Sequence, residues 1–304
     1  MEQVVAESHV VPLDAGRQRL DVIAHRAFEA YPTKSSAKKA CKRGEIALDG
    51  QVTEGSRFVE VGQRVDRLYP EAESAISFYE REIEVLFEDE YLAIVFKPPG
   101  LRVNGNQAKT LERALPFNLR TSQQPDAIVP RVCHRLDAKT SGLVAVAKTR
   151  RALGGVSQAF MDRRVDKRYR ALLVGRIDGE GIETADVDER TAHTTWRAVR
   201  HSRALKGDWM TTVDLIPRTG RRHQLRVHMA GLGHPVLGDL PYGLEGLILF
   251  GKGLFLCAVR LAFAHPITGE ALAIEASEPA KFEIVRAREA RRWLKYHEPD
   301  AGSQ

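Results

Sequence analysis

The alternation of apolar and polar positions divides the chain into a short helical opening and a long strand-rich remainder. Between Arg19 and Ala30 the apolar residues Leu20, Ile23, Ala24, Ala27 and Phe28 recur at helical spacing. Pro32 and Thr33 end that run, and a second helix is predicted from Ser35 to Arg43, stopping at Gly44. At 100° per residue, Lys38, Lys39, Lys42 and Arg43 of this second helix share one half of its circumference. Ala37, Ala40 and Cys41 take the other half. Glu45 to Val52 reads as strand, Asp49-Gly50 turn, strand. These elements make residues 17–68 a small module of their own. Residues 69–80, with Pro70 and no clear period, read as a linker.

From residue 81 to 297 short strands dominate. Ile83–Phe87 and Leu92–Phe96 flank the acidic turn Glu88-Asp89-Glu90, and further strands are predicted at Leu143–Ala147, Tyr169–Val174 and Thr211–Ile216. Helices are predicted at Val156–Asp162, after Thr219 as cap, and from Ser277 to His297. The fold class is α+β: a mainly antiparallel mixed sheet with flanking helices, plus the small N-terminal α+β module. No strand–helix alternation is visible.

Composition narrows the function classes. The 304 residues are 43% hydrophobic and 28% charged, as in a globular protein, and the longest apolar stretch is too short to span a bilayer. Met1–Ser8 has no basic region followed by an apolar one, so no secretory signal is expected. Cys41, Cys133 and Cys257 are widely spaced, and are expected as reduced, buried thiols in a cytoplasmic protein. The net charge of +6 is unevenly spread. Residues 71–90 carry eight acids and one base, residues 148–170 eight bases and two acids, and residues 190–206 five bases and no acid. Such polarity favours a polyanionic partner, though solvated faces would also produce it.

The strongest local candidate for chemistry is His134-Arg135-Leu136-Asp137, followed by Thr140-Ser141-Gly142-Leu143. An isolated Arg-x-Asp is usually a structural ion pair. Here it is followed in order by Lys167-Arg168-Tyr169-Arg170, Thr219-Gly220-Arg221-Arg222-His223-Gln224-Leu225-Arg226, Gly233-His234-Pro235 through Tyr242-Gly243, and Leu254–Ala258 with His265-Pro266. His223 and His228 are five apart, which does not place two ligands on one helix face; they read as hydrogen-bonding and packing residues. Ser141 lacks the glycine pattern of a nucleophile elbow and reads as a turn residue.

Together these motifs, over roughly residues 83–276, resemble the RluA-like family of pseudouridine synthases, which modify uridines in ribosomal and transfer RNA. Two departures stand out: Leu101–Val129 matches loosely, and Leu256-Cys257-Ala258 replaces a usual Leu-His-Ala. The N-terminal module resembles the S4-type RNA-binding module first recognised in a ribosomal small-subunit protein. That match rests on Arg19-Leu20-Asp21, Ser35–Lys39, Gly44-Glu45-Ile46, Asp49-Gly50 and Val61–Val65. The resemblance implies an RNA isomerase that breaks the N1–C1′ bond of a uridine and rejoins the base through C5, with no cofactor and no metal. It implies Asp137 as the carboxylate that attacks C1′ or removes a sugar proton, Arg226 as its cationic partner, and Tyr169 as the residue that stacks on the flipped base and is a candidate to assist proton removal at C5 or at the sugar. Arg135 would enter the space left by that base, Leu225 would line the uracil pocket, and Arg221 and Arg222 would contact phosphate. Lys38, Lys39, Lys42 and Arg43 would hold RNA in the small module. Ribosomal RNA is the favoured partner and transfer RNA a second; no membrane partner is expected, and a monomer is the simplest state. The alternatives are a non-catalytic RNA-binding or assembly protein on the same fold and, more remotely, a hydrolase using Ser141.

Overall fold

The computed structural model describes residues 5–68, 78–247, 249 and 251–297. The chain divides into two compact units, one within residues 1–76 and one from residue 77 onward. The predicted linker falls largely on residues 69–77, outside the described residues.

The first unit contains β1 (Val5–Val10), β2 (Gln18–Arg19), α1 (Leu20–Ala27), α2 (Lys34–Lys42), β3 (Ile46–Leu48), β4 (Gln51–Val52), β5 (Phe58–Val59) and β6 (Arg64–Leu68). It begins earlier than the predicted residue 17, because β1 pairs along β6 and edges a four-stranded sheet ordered β1-β6-β3-β4. Thr33 starts α2 as well as ending the preceding run: its Oγ1 accepts from Ser36 N while Ser36 Oγ accepts from Thr33 N, each at 3.0 Å. Ala37, Ala40 and Cys41 are buried with Leu20, Ile23, Phe28 and Ile46, and Lys38, Lys39, Lys42 and Arg43 are exposed. The β3–β4 hairpin turns through Asp49 and Gly50, both with positive φ (51° and 79°), the conformation an Asp-Gly turn supplies.

The second unit contains β7 (Glu84–Glu88), β8 (Leu92–Lys97), α3 (Leu111–Asn118), β9 (Ala127–Val132), β10 (Ser141–Thr149), α4 (Arg150–Met161), β11 (Asp166–Val174), β12 (Glu180–Glu183), β13 (Thr194–Arg203), β14 (Trp209–Pro217), α5 (Gln224–Gly231), β15 (Leu256–Ala264), β16 (Ala271–Glu275) and α6 (Lys281–His297). Its sheet runs β12-β13-β14-β11-β15-β10-β8-β7, with β16 on β15 and β9 on β10. All pairings between these strands are antiparallel except β10 with β15. That parallel junction is very tight. Gly142, at φ 117°, lies where a Cβ would come within 2.2 Å of the Ala258 carbonyl oxygen, so only glycine fits.

Alternate residues of β11 face opposite layers. Ala171 and Leu173 pack with Leu225 and Met229 of α5, and Leu172 and Val174 with Phe282 and Val285 of α6. Among the described residues no helix is long and apolar enough to cross a membrane.

Three helix starts differ from expectation. Helix α4 begins at Arg150, not Val156, because Thr149 Oγ1 accepts from Ala152 N and the Asp126 carboxylate accepts from Arg151 N. Helix α6 begins at Lys281, past Pro279, so Ser277 is no cap. Helix α5 begins at Gln224, and Thr219 binds the Gln224 side chain instead of capping. The loosely matching 101–129 segment holds α3 and the start of β9, neither of which its irregular pattern predicts.

Candidate active site

A cleft of about 620 Å³ opens in the second unit, bordered by residues 134–140, 160–169 and 217–226. Its size suits a nucleoside and its immediate neighbours. Asp137, Arg135, Tyr169, Leu225, Arg226, Arg221 and Arg222 all line it. The cleft thus gathers seven of the sequence-derived candidates from three separate segments. Lys38, Lys39, Lys42 and Arg43 lie in the other unit. Arg43 is not a free cation, because its guanidinium is paired with Glu45 through both Nε and Nη2.

Asp137 sits in the loop joining β9 to β10, and that loop is pinned from below. Its own carbonyl accepts from Thr140 N, and the next carbonyl, of Ala138, accepts from Gly100 N at 2.7 Å and from Lys97 Nζ at 3.1 Å. Lys97 is fully buried and also donates to the carbonyls of Pro98 and Leu101. Burial pushes its ammonium down to about 8, against the opposing pull of Asp137, so it stays mostly protonated near neutral pH. An ammonium satisfied by three carbonyls fixes the turn that carries the carboxylate.

Arg226, on α5, meets two carboxylates. Its tight partner is Asp239, with Nε to Oδ2 at 2.6 Å and Nη2 to Oδ1 at 2.7 Å, a bidentate pair in which the side chains are 4% and 0% exposed. The remaining Nη1 points toward Asp137 Oδ2 at 3.8 Å. Asp239 therefore aims Arg226 at Asp137. The motif ending Gly238-Asp239 was visible in the sequence, but its role was not, since the partners are thirteen residues apart along an irregular path.

His223 also faces Asp137, with Nε2 at 3.8 Å from Oδ2, while its Nδ1 lies 3.0 Å from the Tyr242 hydroxyl. Helical spacing makes His223 a hydrogen-bonding and packing residue; its left-handed backbone, φ 58°, also turns it into the cleft. Gln224 holds this entry in place. Its Oε1 accepts from Thr219 Oγ1 and Arg221 N, and its Nε2 donates to His193 O and Thr194 Oγ1.

Tyr169 enters the cleft from β11, opposite Leu215 and Ala258 in its neighbouring strands. Burial, with the charge of Asp137 adding to it, raises its phenol well above the ordinary value. The hydroxyl therefore keeps its proton, and the ring offers a face for stacking more readily than a phenolate base. Leu225 is buried beside Tyr169 in the apolar cluster under α5. Arg135 is exposed next to Asp137.

The remaining candidates settle into structural places. Burial, with Lys167 adding to it, holds His134 down at about 3, so it is neutral. Its Nε2 accepts from Ala145 N at 3.0 Å and its ring stacks on Phe160. His228 is buried between Thr194 Oγ1 and the Ala185 carbonyl. Ser141 is buried and its Oγ lies 3.5 Å from the Leu256 carbonyl oxygen, which suits a strand position and not a nucleophile. Among the described residues no three histidine, cysteine, aspartate or glutamate side chains gather to hold a metal ion.

Comparison with known proteins places the chain in a family. Residues 91–231 match the family model described as RNA pseudouridylate synthase. An uncharacterized RNA pseudouridine synthase of Aquifex aeolicus (strain VF5) is 32% identical, with the alignment spanning 94% of this chain and 97% of the relative. The ribosomal large subunit pseudouridine synthase D of Xanthomonas campestris pv. campestris is 31% identical over 93% of this chain and 92% of its own. The solved structure of human RNA pseudouridylate synthase domain containing 1 superposes with a TM-score of 0.55 at 25% identity, covering 76% of this chain and 99% of that one. With a matching family profile, near full-length relatives and a shared fold, the chain belongs to the RluA-type family of RNA pseudouridine synthases, and is an isomerase.

Proposed function

We propose that this enzyme converts uridine to pseudouridine in structured ribosomal RNA, with Asp137 as the reacting carboxylate. One observation carries the reading. Among the described residues lining the cleft, Asp137 is the sole carboxylate, set among seven cations: Arg135, Arg163, Lys167, Arg218, Arg221, Arg222 and Arg226. A cleft so charged draws in a phosphate backbone and places one anionic group where a sugar can reach it. Transfer RNA would satisfy the same chemistry; the names of the relatives, several of them large-subunit enzymes, favour ribosomal RNA.

In the reaction the N1–C1′ bond breaks, the base turns and a C5–C1′ bond forms, the proton leaving C5 while N1 gains one. Asp137 acts either by attacking C1′ or by removing a sugar proton. Tyr169 stacks on the extruded base, Leu225 lines its pocket and Arg135 enters the gap it leaves. Arg226, aimed by Asp239, holds the carboxylate, and Arg221 and Arg222 take phosphates. The first unit acts as an S4-type RNA-binding module through Lys38, Lys39 and Lys42, with Arg43 engaged by Glu45. We read the working form as a cytoplasmic monomer.

The test is pseudouridine mapping of ribosomal RNA incubated with the protein. Wild type should yield pseudouridine at a discrete position and Asp137→Ala none. Full conversion by Asp137→Ala would remove Asp137 from the chemistry, and conversion confined to transfer RNA would move the substrate class.

A further inference from the structure

Beyond Asp137, Tyr169 and Arg226, the cleft contains a group with no assigned task. We propose that His223 is a positioning residue for Asp137, held as a neutral imidazole by Tyr242 so that its Nε2–H bonds the carboxylate when the nucleotide seats. The proposal rests on the reading that Asp137 is the reacting carboxylate.

Three observations carry it. The first is backbone strain. His223 is a non-glycine residue at φ 58°, immediately before α5, and its side chain makes no capping bond. A left-handed conformation at such a position costs on the order of 1 kcal/mol or more and persists where something else requires it. Here the strain turns the imidazole into the cleft.

The second is the closed ring of contacts. Asp137 Oδ2 lies 3.8 Å from both His223 Nε2 and Arg226 Nη1. His223 Nδ1 meets the Tyr242 hydroxyl at 3.0 Å. Asp239 holds Arg226 in two bonds at 2.6 and 2.7 Å, and its Oδ1 lies 3.4 Å from Tyr242 N. Asp137 is thus met by two donors, and both are secured by the same short segment, Asp239 to Tyr242. A separation of 3.8 Å is about 1 Å longer than a hydrogen bond, a gap that side-chain rotation closes when substrate fills the site.

The third is protonation logic. A carboxylate only accepts, so the nitrogen facing Asp137 must carry the hydrogen. Nδ1 is then a lone pair, and the Tyr242 hydroxyl donates to it. The groups facing His223 are Asp137 from the β9–β10 loop, Arg222 and Arg226 from its own segment, and Asp239 and Tyr242 from the segment after α5. Burial lowers the imidazole's affinity for a proton, and Arg226 and Arg222 lower it further, against the opposing pull of Asp137 and Asp239. The imidazole therefore stays neutral below its ordinary value of about 6.5. When it does protonate, Asp137 faces a second cation and becomes a weaker base and nucleophile. Activity should be full at neutral pH and fall as pH drops through the lowered histidine value.

The experiment is a pH–rate profile on the ribosomal RNA transcript that wild type modifies, with Asp137→Ala as control. His223→Gln places an amide donor where Nε2 stood and cannot titrate: kcat should stay within about threefold, and the histidine limb on the acid side should vanish. His223→Asn tolerates the left-handed backbone but is too short to reach Asp137, so kcat should drop about tenfold with KM unchanged. Tyr242→Phe frees the imidazole and should lower kcat several-fold, again without moving KM. Wild-type kcat and an unshifted profile in all three variants, alongside an inactive Asp137→Ala, would overturn the proposal while leaving Asp137 in place. An equal loss of kcat in all three with the profile unmoved would also overturn it, since packing damage alone does that. An active Asp137→Ala would instead overturn the reading beneath it.

Discussion

Helices α2 and α5 are nine and eight residues long and both carry cations, yet they hold them in opposite ways. On α2, Lys38, Lys39 and Lys42 stand in solvent on one side, while Ala37, Ala40 and Cys41 are buried on the other. On α5, Arg226 is buried and committed to Asp239, with one nitrogen left for Asp137. Exposed cations act by summed charge, so each contributes little and all are screened by salt. A buried guanidinium is aimed, so its loss is felt at one atom and throughout the packing around it. On the proposed function the two helices divide the work, because capture of RNA by α2 would tolerate imprecision and chemistry at Asp137 would not.

The comparison can be broken most severely at Arg226. Arg226→Ala strands Asp239 as an unpaired buried carboxylate, which should cost the second unit about 3–5 kcal/mol in denaturant unfolding and abolish pseudouridine formation. Arg226→Lys keeps the charge but cannot make two parallel bonds, so stability should return only in part. If Arg226→Ala unfolds like wild type, the pair does not hold the site together.

A smaller effect is expected on α2. Replacing Lys38, Lys39 and Lys42 together by Ala should weaken RNA binding and flatten the plot of log affinity against log salt by about 0.9 for each phosphate left without its lysine. At saturating RNA the rate should not change. An unaltered slope would take α2 off the RNA. The smallest effect is at the start of that helix, where Thr33→Ala removes one half of the capping box. It should lower the stability of the first unit by about 1 kcal/mol by thermal unfolding, with conversion at saturating RNA unchanged.

The legibility of these regions in the sequence differs for physical reasons. Helix α2 was readable because a single short helix sorts its residues by a fixed angular step, and its cations need no partner from elsewhere. The β3–β4 hairpin was readable because Asp49-Gly50 supplies both positive φ angles locally. Strands β7, β8, β10, β11 and β14 were readable from apolar runs. Helix α5 was misplaced because Thr219 looks like a cap, whereas its hydroxyl serves the side chain of Gln224. Helix α3 and strand β9 are not legible in the sequence because Pro116 and Pro130 interrupt their patterns.

Within the cleft, ordered motifs identified Asp137, Tyr169 and Arg226, and the structure gathers all three. They did not show that Asp239 governs Arg226, that Lys97 supports the Asp137 turn, or that His223 faces the carboxylate. By itself, then, the sequence determined the elements whose patterns are local and the family, and it singled out Asp137 as the candidate carboxylate. Only the tertiary structure decided which cation is buried against which anion. Groups separated by thirteen, forty-one and eighty-six residues become neighbours only when β8, the β9–β10 loop and α5 with its flanking segments are folded against one another.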